Sequence, residues 1–134
     1  MFALIGDMLK HFSQETLKPF LAPLMSILTE NLEYLDPKYD PDQKYLSVCN
    51  NSCWCIGEFV MKFNEQTAPY LARVREKLVA ILQFEKLSKA LAQNVSLTLG
   101  RVGLWQPQET AEVLEKIIKP WCLSLRYIKD STEK

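Results

Sequence analysis

Residues 48–58 read VCNNSCWCIGE, Val48 to Glu58, and the phase of their apolar positions decides the fold. At about 100° per residue, Leu46, Cys49, Cys53, Ile56 and Val60 fall on one stripe, while Ser47, Asn50, Asn51, Trp54 and Glu58 fall on the opposite side. The stretch is therefore the middle of an amphipathic helix, and it carries a large aromatic on its polar side. Two readings of Trp54 stand side by side. A Trp among amides and a carboxylate is what a peptide-binding surface presents to its ligand. Equally, helices in layered α proteins bury more than one face, and the ring then packs against a neighbouring helix.

Working outward, the same periodicity predicts about six helices. The first covers Met1 to Phe12, with Phe2, Ile5, Leu9 and Phe12 in step. It opens without a capping residue, which leads us to expect that upstream chain precedes it. Ser13 to Thr16 supplies caps for a second helix through Leu32, in which Pro19 suits a first turn and Pro23 is expected to kink the helix or move its start. Glu33 to Lys44, with Asp36-Pro37 and Asp40-Pro41, reads as a turn or longer surface loop. The third helix runs from about Tyr45 to Phe63. After a short break at Asn64 to Thr67 the fourth begins near Pro69, with Tyr70, Leu71, Val74, Leu78, Ile81 and Leu82 as its stripe and Arg73, Arg75, Glu76 and Lys77 as its wet side. Glu85 to Ser88 connects to the fifth, Lys89 to Leu104, which Gln106-Pro107 ends. The sixth spans about Gln108 to Ile128 with Pro120 expected to bend it, and a charged tail follows from Lys129 to Lys134. No segment alternates as a strand would, so the fold class is all-α.

Composition narrows the function classes. Sixteen basic and sixteen acidic residues give a formal net charge of zero, so no overall field recruits nucleic acid or anionic lipid. No apolar run approaches the roughly 20 residues that span a bilayer, and no signal-peptide pattern opens the chain. We expect a soluble, intracellular protein without membrane insertion. Of the four cysteines, Cys49, Cys53 and Cys55 crowd onto one helix, and Cys122 stands apart. That is not a disulfide framework, and with His11 the single histidine, zinc-type spacing is absent too; small reduced core thiols are the expectation. Nor is there a nucleophile with a base, a Gly-rich phosphate loop or a spaced carboxylate pair, which argues against an enzyme and against a cofactor. His11 reads as a polar position near a helix end, Trp121 as part of the sixth helix's packing stripe, and Trp105 as a layer-capping or loop-packing ring.

The chain also repeats itself. Ala3-Leu-Ile-Gly6-Asp7, Cys53-Trp-Cys-Ile-Gly57-Glu58 and Leu97-Thr-Leu-Gly100-Arg101 share apolar residues, a Gly and a charge, with Gly-to-Gly intervals of 51 and 43 residues. Lys18-Pro-Phe-Leu-Ala22, Ala68-Pro-Tyr-Leu-Ala72 and Ala111-Glu-Val-Leu-Glu115 match in the same way. Two helix types alternating at roughly 40 to 47 residues are the HEAT or armadillo period, and one set lines the inner surface of such a solenoid. The expected units are a half repeat over 1–12, a repeat over 16–63 with a loop insertion at 33–44, a repeat over 67–104 and a half repeat over 108–128. With neither end polar enough to cap a solenoid, the sequence reads as part of a longer array.

FALIGDMLK, VCNNSCWCIGE, NVSLTLGRVG followed by PQE, and IIKPWCLSLRYIKD resemble the carboxy-terminal HEAT repeats of the transportin family, the karyopherin-β nuclear import receptors. The likeness runs in order along nearly the whole chain and departs at Glu33 to Lys44 and at Phe84 to Leu91. It implies a receptor shuttling between cytoplasm and nucleus, with nuclear localisation signals of the proline-tyrosine type as cargo and with nucleoporins as partners. The Ran GTPase, also a partner, would act through repeats outside this chain. It further implies that Leu46, Asn50 and Trp54 on the third helix, with Asn94 and Leu97 on the fifth, bind the extended signal. Ala90 takes the place of a family hydroxyl residue, removing a hydrogen bond there.

The residues themselves agree in part. Ala90, Asn94, Leu97 and Arg101 share one sector of the fifth helix, and Asn50 and Trp54 lie one turn apart on the third. If the two helices are neighbours, Trp54 and Leu97 supply apolar contact and the Asn50 and Asn94 amides are free to bond a peptide backbone. Glu58 either attracts a basic side chain or is an ordinary solvated carboxylate. A structural HEAT scaffold binding folded partners remains the alternative reading.

Overall fold

The structure is a computed structural model that describes residues 1–36 and 38–126. Its helices are α1 (Phe2–His11), α2 (Gln14–Leu17), α3 (Leu21–Glu30), α4 (Lys44–Phe63), α5 (Ala68–Leu82), α6 (Lys89–Trp105) and α7 (Pro107–Leu125). Short 3-10 turns at Lys18–Phe20 and Asn64–Thr67 lead into α3 and α5. Among the described residues there is no strand. Residues 127–134, which include the end of the expected sixth helix and the charged tail, lie outside the described residues.

One expected helix is divided. The second helix, expected as one piece, comes as α2, the 3-10 turn and α3. Proline has no N–H, so Pro19 and Pro23 cannot continue an α-helical hydrogen-bond ladder, and Pro23 instead falls in the first turn of α3, where that donor is not needed. Elsewhere the breaks fall where the side chains dictate. Ser13 Oγ accepts from Thr16 N to start α2, and Ser88 Oγ accepts from Leu91 N to start α6. Residues 33–36 and 38–43 are irregular, and the start of α4 after them is fixed by Asp40, a buried carboxylate that accepts from Lys44 N and Leu46 N at 2.9 Å each. These bonds satisfy first-turn donors of α4 that Gln43, at φ 55, does not cap.

Two layers follow from the helix contacts. The Gly-bearing helices stack in the order α1, α4, α6, and the Pro-bearing helices α3, α5 and α7 stack beside them. This is a HEAT-type α-solenoid. The α4–α6 seam of the first layer is parallel: side chains of α4 meet those of α6 at sequence separations of 43, 44 and 45 residues, in step with the Gly57-to-Gly100 interval. Between the layers lies the core, where Cys49, Cys53, Ile56, Phe59, Val60 and Phe63 of α4 meet Met25 and Leu28 of α3 and Leu71, Val74 and Leu78 of α5. Burying a side chain such as Phe59 or Leu78 contributes about 1.5–3 kcal/mol, so this interlayer core fixes which side of α4 remains for other work.

Candidate peptide-binding face

Opposite that core, α4 and α6 present one continuous row. Asn50, Trp54 and Glu58 are half-buried on successive turns of α4, and Asn94, Leu97 and Arg101 are half-buried on α6. Of the five members of the apolar stripe that the sequence placed inside, Cys49, Cys53, Ile56 and Val60 are fully buried and Leu46, at the start of the helix, is half-buried, so the polar side of α4 is the side left over.

The ring of Trp54 is neither free nor deep. It lies against the backbone of Gly6 on α1, so closely that a Cβ added at Gly6 would overlap the benzo edge of the indole. One turn along α1 from Gly6, the Lys10 ammonium sits 4.8 Å from the centroid of the same ring. Trp54 thus fills the α1–α4 seam with part of its surface and exposes the remainder. The packing reading of this residue therefore holds for the buried edge of the ring.

On the other flank the side chains pair with one another. Asn94 Nδ2 donates to Asn50 Oδ1 at 2.7 Å, so the two amides expected to bond a peptide backbone first bond each other. That corrects the picture of two free amides. Asn50 Nδ2 and Asn94 Oδ1 are left, one donor and one acceptor, which is the pair a peptide unit needs. Below them Thr98 Oγ1 donates to the Cys53 carbonyl at 3.0 Å, and Arg101 Nη1 lies 3.3 Å from Glu58 Oε1. Glu58 is therefore neither an open bait for a basic ligand nor an ordinary solvated carboxylate; an internal guanidinium already neutralises it.

The remaining expected residues fall at the ends of this row. Ala90 is exposed one turn before Asn94, with no hydroxyl to offer. Leu46 is half-buried one turn before Asn50 and lines a cavity of about 300 Å³ with Tyr34, Leu35, Asp40, Lys86 and Leu87. The sequence reasoning missed Lys10, Met61 and Leu104; Met61 and Leu104 are 48% and 68% exposed, on the α4 and α6 ends of the row. For Lys10 the signal was its position four residues after Gly6, which places both on one side of α1.

Other features separate from this face. Trp121 donates Nε1–H to the Ser96 carbonyl at 2.9 Å and packs 3.7 Å from a Cβ position on Gly100, in keeping with a packing role. Trp105 is 39% exposed at the end of α6. The basic run on α5 is internally engaged: Arg73 with Glu76, Arg75 with Gln106 and Lys77 with Glu33. Burial pushes the thiols of Cys49 up to about 11 and those of Cys53 and Cys55 up to about 12, so they are protonated and inert near neutrality. Among the described residues no group of three or more His, Cys, Asp and Glu side chains is placed to hold a metal ion.

No family model matches the chain. It is similar to Transportin-1 of Homo sapiens and of Mus musculus, 40% identical over 133 residues in each case. It is also 32% identical over 133 residues to Transportin of Dictyostelium discoideum. These matches cover 99% of this chain, which spans about 14% of the length of the Transportin-1 relatives.

Proposed function

From the transportin-type karyopherin sequence that this chain carries along nearly its whole length, we propose that it is part of a nuclear import receptor and that the α4–α6 row is one subsite for an extended import signal. The observation that carries the reading is the Asn50–Asn94 pair, one turn from Trp54 on α4 and from Leu97 on α6. An extended peptide crossing the two helices would place an apolar side chain against Trp54 and Leu97 while its backbone meets the spare donor of Asn50 and the spare acceptor of Asn94. Backbone bonding of this kind gives affinity without demanding one sequence, as a receptor for many cargoes requires.

The signal is of the proline-tyrosine type, and its release depends on the Ran GTPase acting through other repeats. In this reading residues 16–63 and 67–104 are the two full repeats, and the protein shuttles between cytoplasm and nucleus and passes nucleoporins on the way. One subsite alone binds weakly: a proline-tyrosine signal peptide titrated into the chain, followed by peptide anisotropy, gives a Kd above about 1 μM. Leu97→Ala, at a half-buried position, weakens it about threefold or more. Trp54→Ala does the same but also opens a gap over Gly6, so its effect is read beside a thermal melt. Binding tighter than that and indifferent to both substitutions would remove the assignment.

A second reading, a HEAT scaffold that binds folded proteins, draws support from the packing of Trp54 on Gly6. It differs in its outcome: a folded partner would protect exposed residues on both layers, whereas a linear peptide perturbs the α4–α6 row alone.

A further inference from the structure

The α1 side and the α7 side of the helix stack are open in complementary ways. Helix α4, with Pro-bearing helices beside it, buries Ile56, Phe59 and Phe63 in the interlayer core. The matched glycines, Gly6 and Gly57, put Ile5, Met8 and Phe12 of α1 at those same three positions. Among the described residues no Pro-bearing helix covers them: Ile5 and Met8 are half-buried and Phe12 is exposed. Together with Phe20 and Leu24 they wall an apolar groove of about 270 Å³ between α1 and α3. Helix α7 is the converse case. The motifs at Lys18 and Ala111 align it with α3, so that Leu114, Ile118 and Leu125 stand where α3 buries Leu21, Met25 and Leu32. Yet Ile118 is exposed and Leu114 and Leu125 are half-buried, and in all of α7 only Thr110 and Ile117 are buried.

A Gly-bearing helix without its Pro-bearing neighbour and a Pro-bearing helix without its Gly-bearing neighbour each fit what the other lacks. We propose that α7 of one copy of this chain docks in the α1–α3 groove of a second copy, so that α7 and the second copy's α1 together make one more repeat. The register is the one already used inside the chain. Within it, Ser26, Thr29 and Glu30 of α3 face Tyr70, Arg73 and Lys77 of α5 across a largely polar groove that water can line. The same register across the junction brings Lys119, Cys122 and Leu123 of α7 to Phe20, Pro23 and Ile27 of the next copy's α3. Leu123, Phe20 and Ile27 are exposed large apolar residues, so this junction gains by leaving water where the internal one does not need to. That contrast is the argument for a second copy as the occupant: both halves of an apolar junction in one register are present on a single chain. The contact joins two different surfaces, so each copy keeps one of them open and growth continues with concentration.

The test is sedimentation equilibrium of the chain from about 2 μM to about 200 μM, where a heterologous contact of micromolar strength should more than double the weight-average mass. Two double variants block one side each: Phe20→Glu with Ile27→Glu on α3, and Ile118→Glu with Leu123→Glu on α7. All four positions are exposed, so the helical circular-dichroism signal of each variant should match that of the wild type. Cys122→Glu, at a further exposed position on the same side of α7, blocks that side independently. Each blocked variant alone should stay monomeric over the whole range. Mixed in equal amounts, the α3-side and α7-side variants should form a dimer and nothing larger, because only one intact α7 and one intact groove remain to meet. A wild type that is still monomeric at the top of the range would overturn the proposal. So would variants that associate as the wild type does, or a mixture that stays monomeric or grows past the dimer.

Discussion

Helix α4 has two flanks that meet helices of its own type, and they are built from different chemistry. Toward α1 the seam is aromatic on glycine: Trp54 lies on Gly6 beneath Lys10, and Lys62 Nζ donates to the Leu9 carbonyl at 2.5 Å. Toward α6 it is a polar ladder of Asn50 with Asn94, the Cys53 carbonyl with Thr98, and Glu58 with Arg101. The Gly repeats in all three helices, yet what it admits differs each time. A repeat thus specifies how near two helices come, and the neighbouring side chains decide what the closeness is used for.

Glycine substitutions break that comparison most sharply. Gly6→Ala forces the Trp54 ring to move, and the expected loss is about 1–3 kcal/mol in chemical denaturation, the usual cost of overfilling a packed site. Gly57→Ala meets the ends of Arg101 and Thr98 at 2.9 Å; the guanidinium can swing away but the Thr98 hydroxyl is committed to Cys53, so a loss of about 1 kcal/mol is expected. Gly100→Ala meets Trp121 at an ordinary 3.7 Å and should be neutral or raise stability by up to about 1 kcal/mol, the helix-propensity gain. A reversed order of the three melting temperatures would refute the seam description.

Smaller effects sharpen it. Asn94→Ala removes one rung from the polar seam and should cost about 0.5–1 kcal/mol, with no change in the α1 seam. The Cys thiols report on the core behind both seams. Only the exposed Cys122 should react with a thiol reagent at pH 7.5, while Cys49, Cys53 and Cys55 react on unfolding. Their folded-state values lie above the ordinary thiol value of 9.0, so stability is flat below pH 9 and falls as the pH climbs toward 11 to 12, where unfolded thiols ionise and buried ones do not. A stability rise above pH 9 would show that these thiols are not buried as described.

Much of this was legible in the sequence because periodicity fixes which side of a helix is buried. The stripe Cys49, Cys53, Ile56 and Val60 needed no structure, and neither did the pairing of Gly-bearing with Gly-bearing helices once the intervals were measured. What one helix wheel does not carry is the identity of the opposite partner. Asn50 and Asn94 each looked available because each was read on its own helix; their mutual bond depends on the register between α4 and α6. Lys10 escaped for the same reason, since its meaning lies in a ring 44 residues away. The division of the second helix shows the limit of pattern reading at Pro19 and Pro23, where local backbone donors outweigh an unbroken apolar phase.

The most direct test of the peptide-binding account is a nitrogen–proton correlation spectrum of the chain, recorded as an extended proline-tyrosine signal peptide is added. The account predicts that the Trp54 indole signal and the Asn50 and Asn94 side-chain amides shift together along one saturating curve, while the Trp121 indole stays where it is. Shifts confined to Trp121 or Trp105, with Trp54 and both asparagines unmoved at saturation, would contradict it.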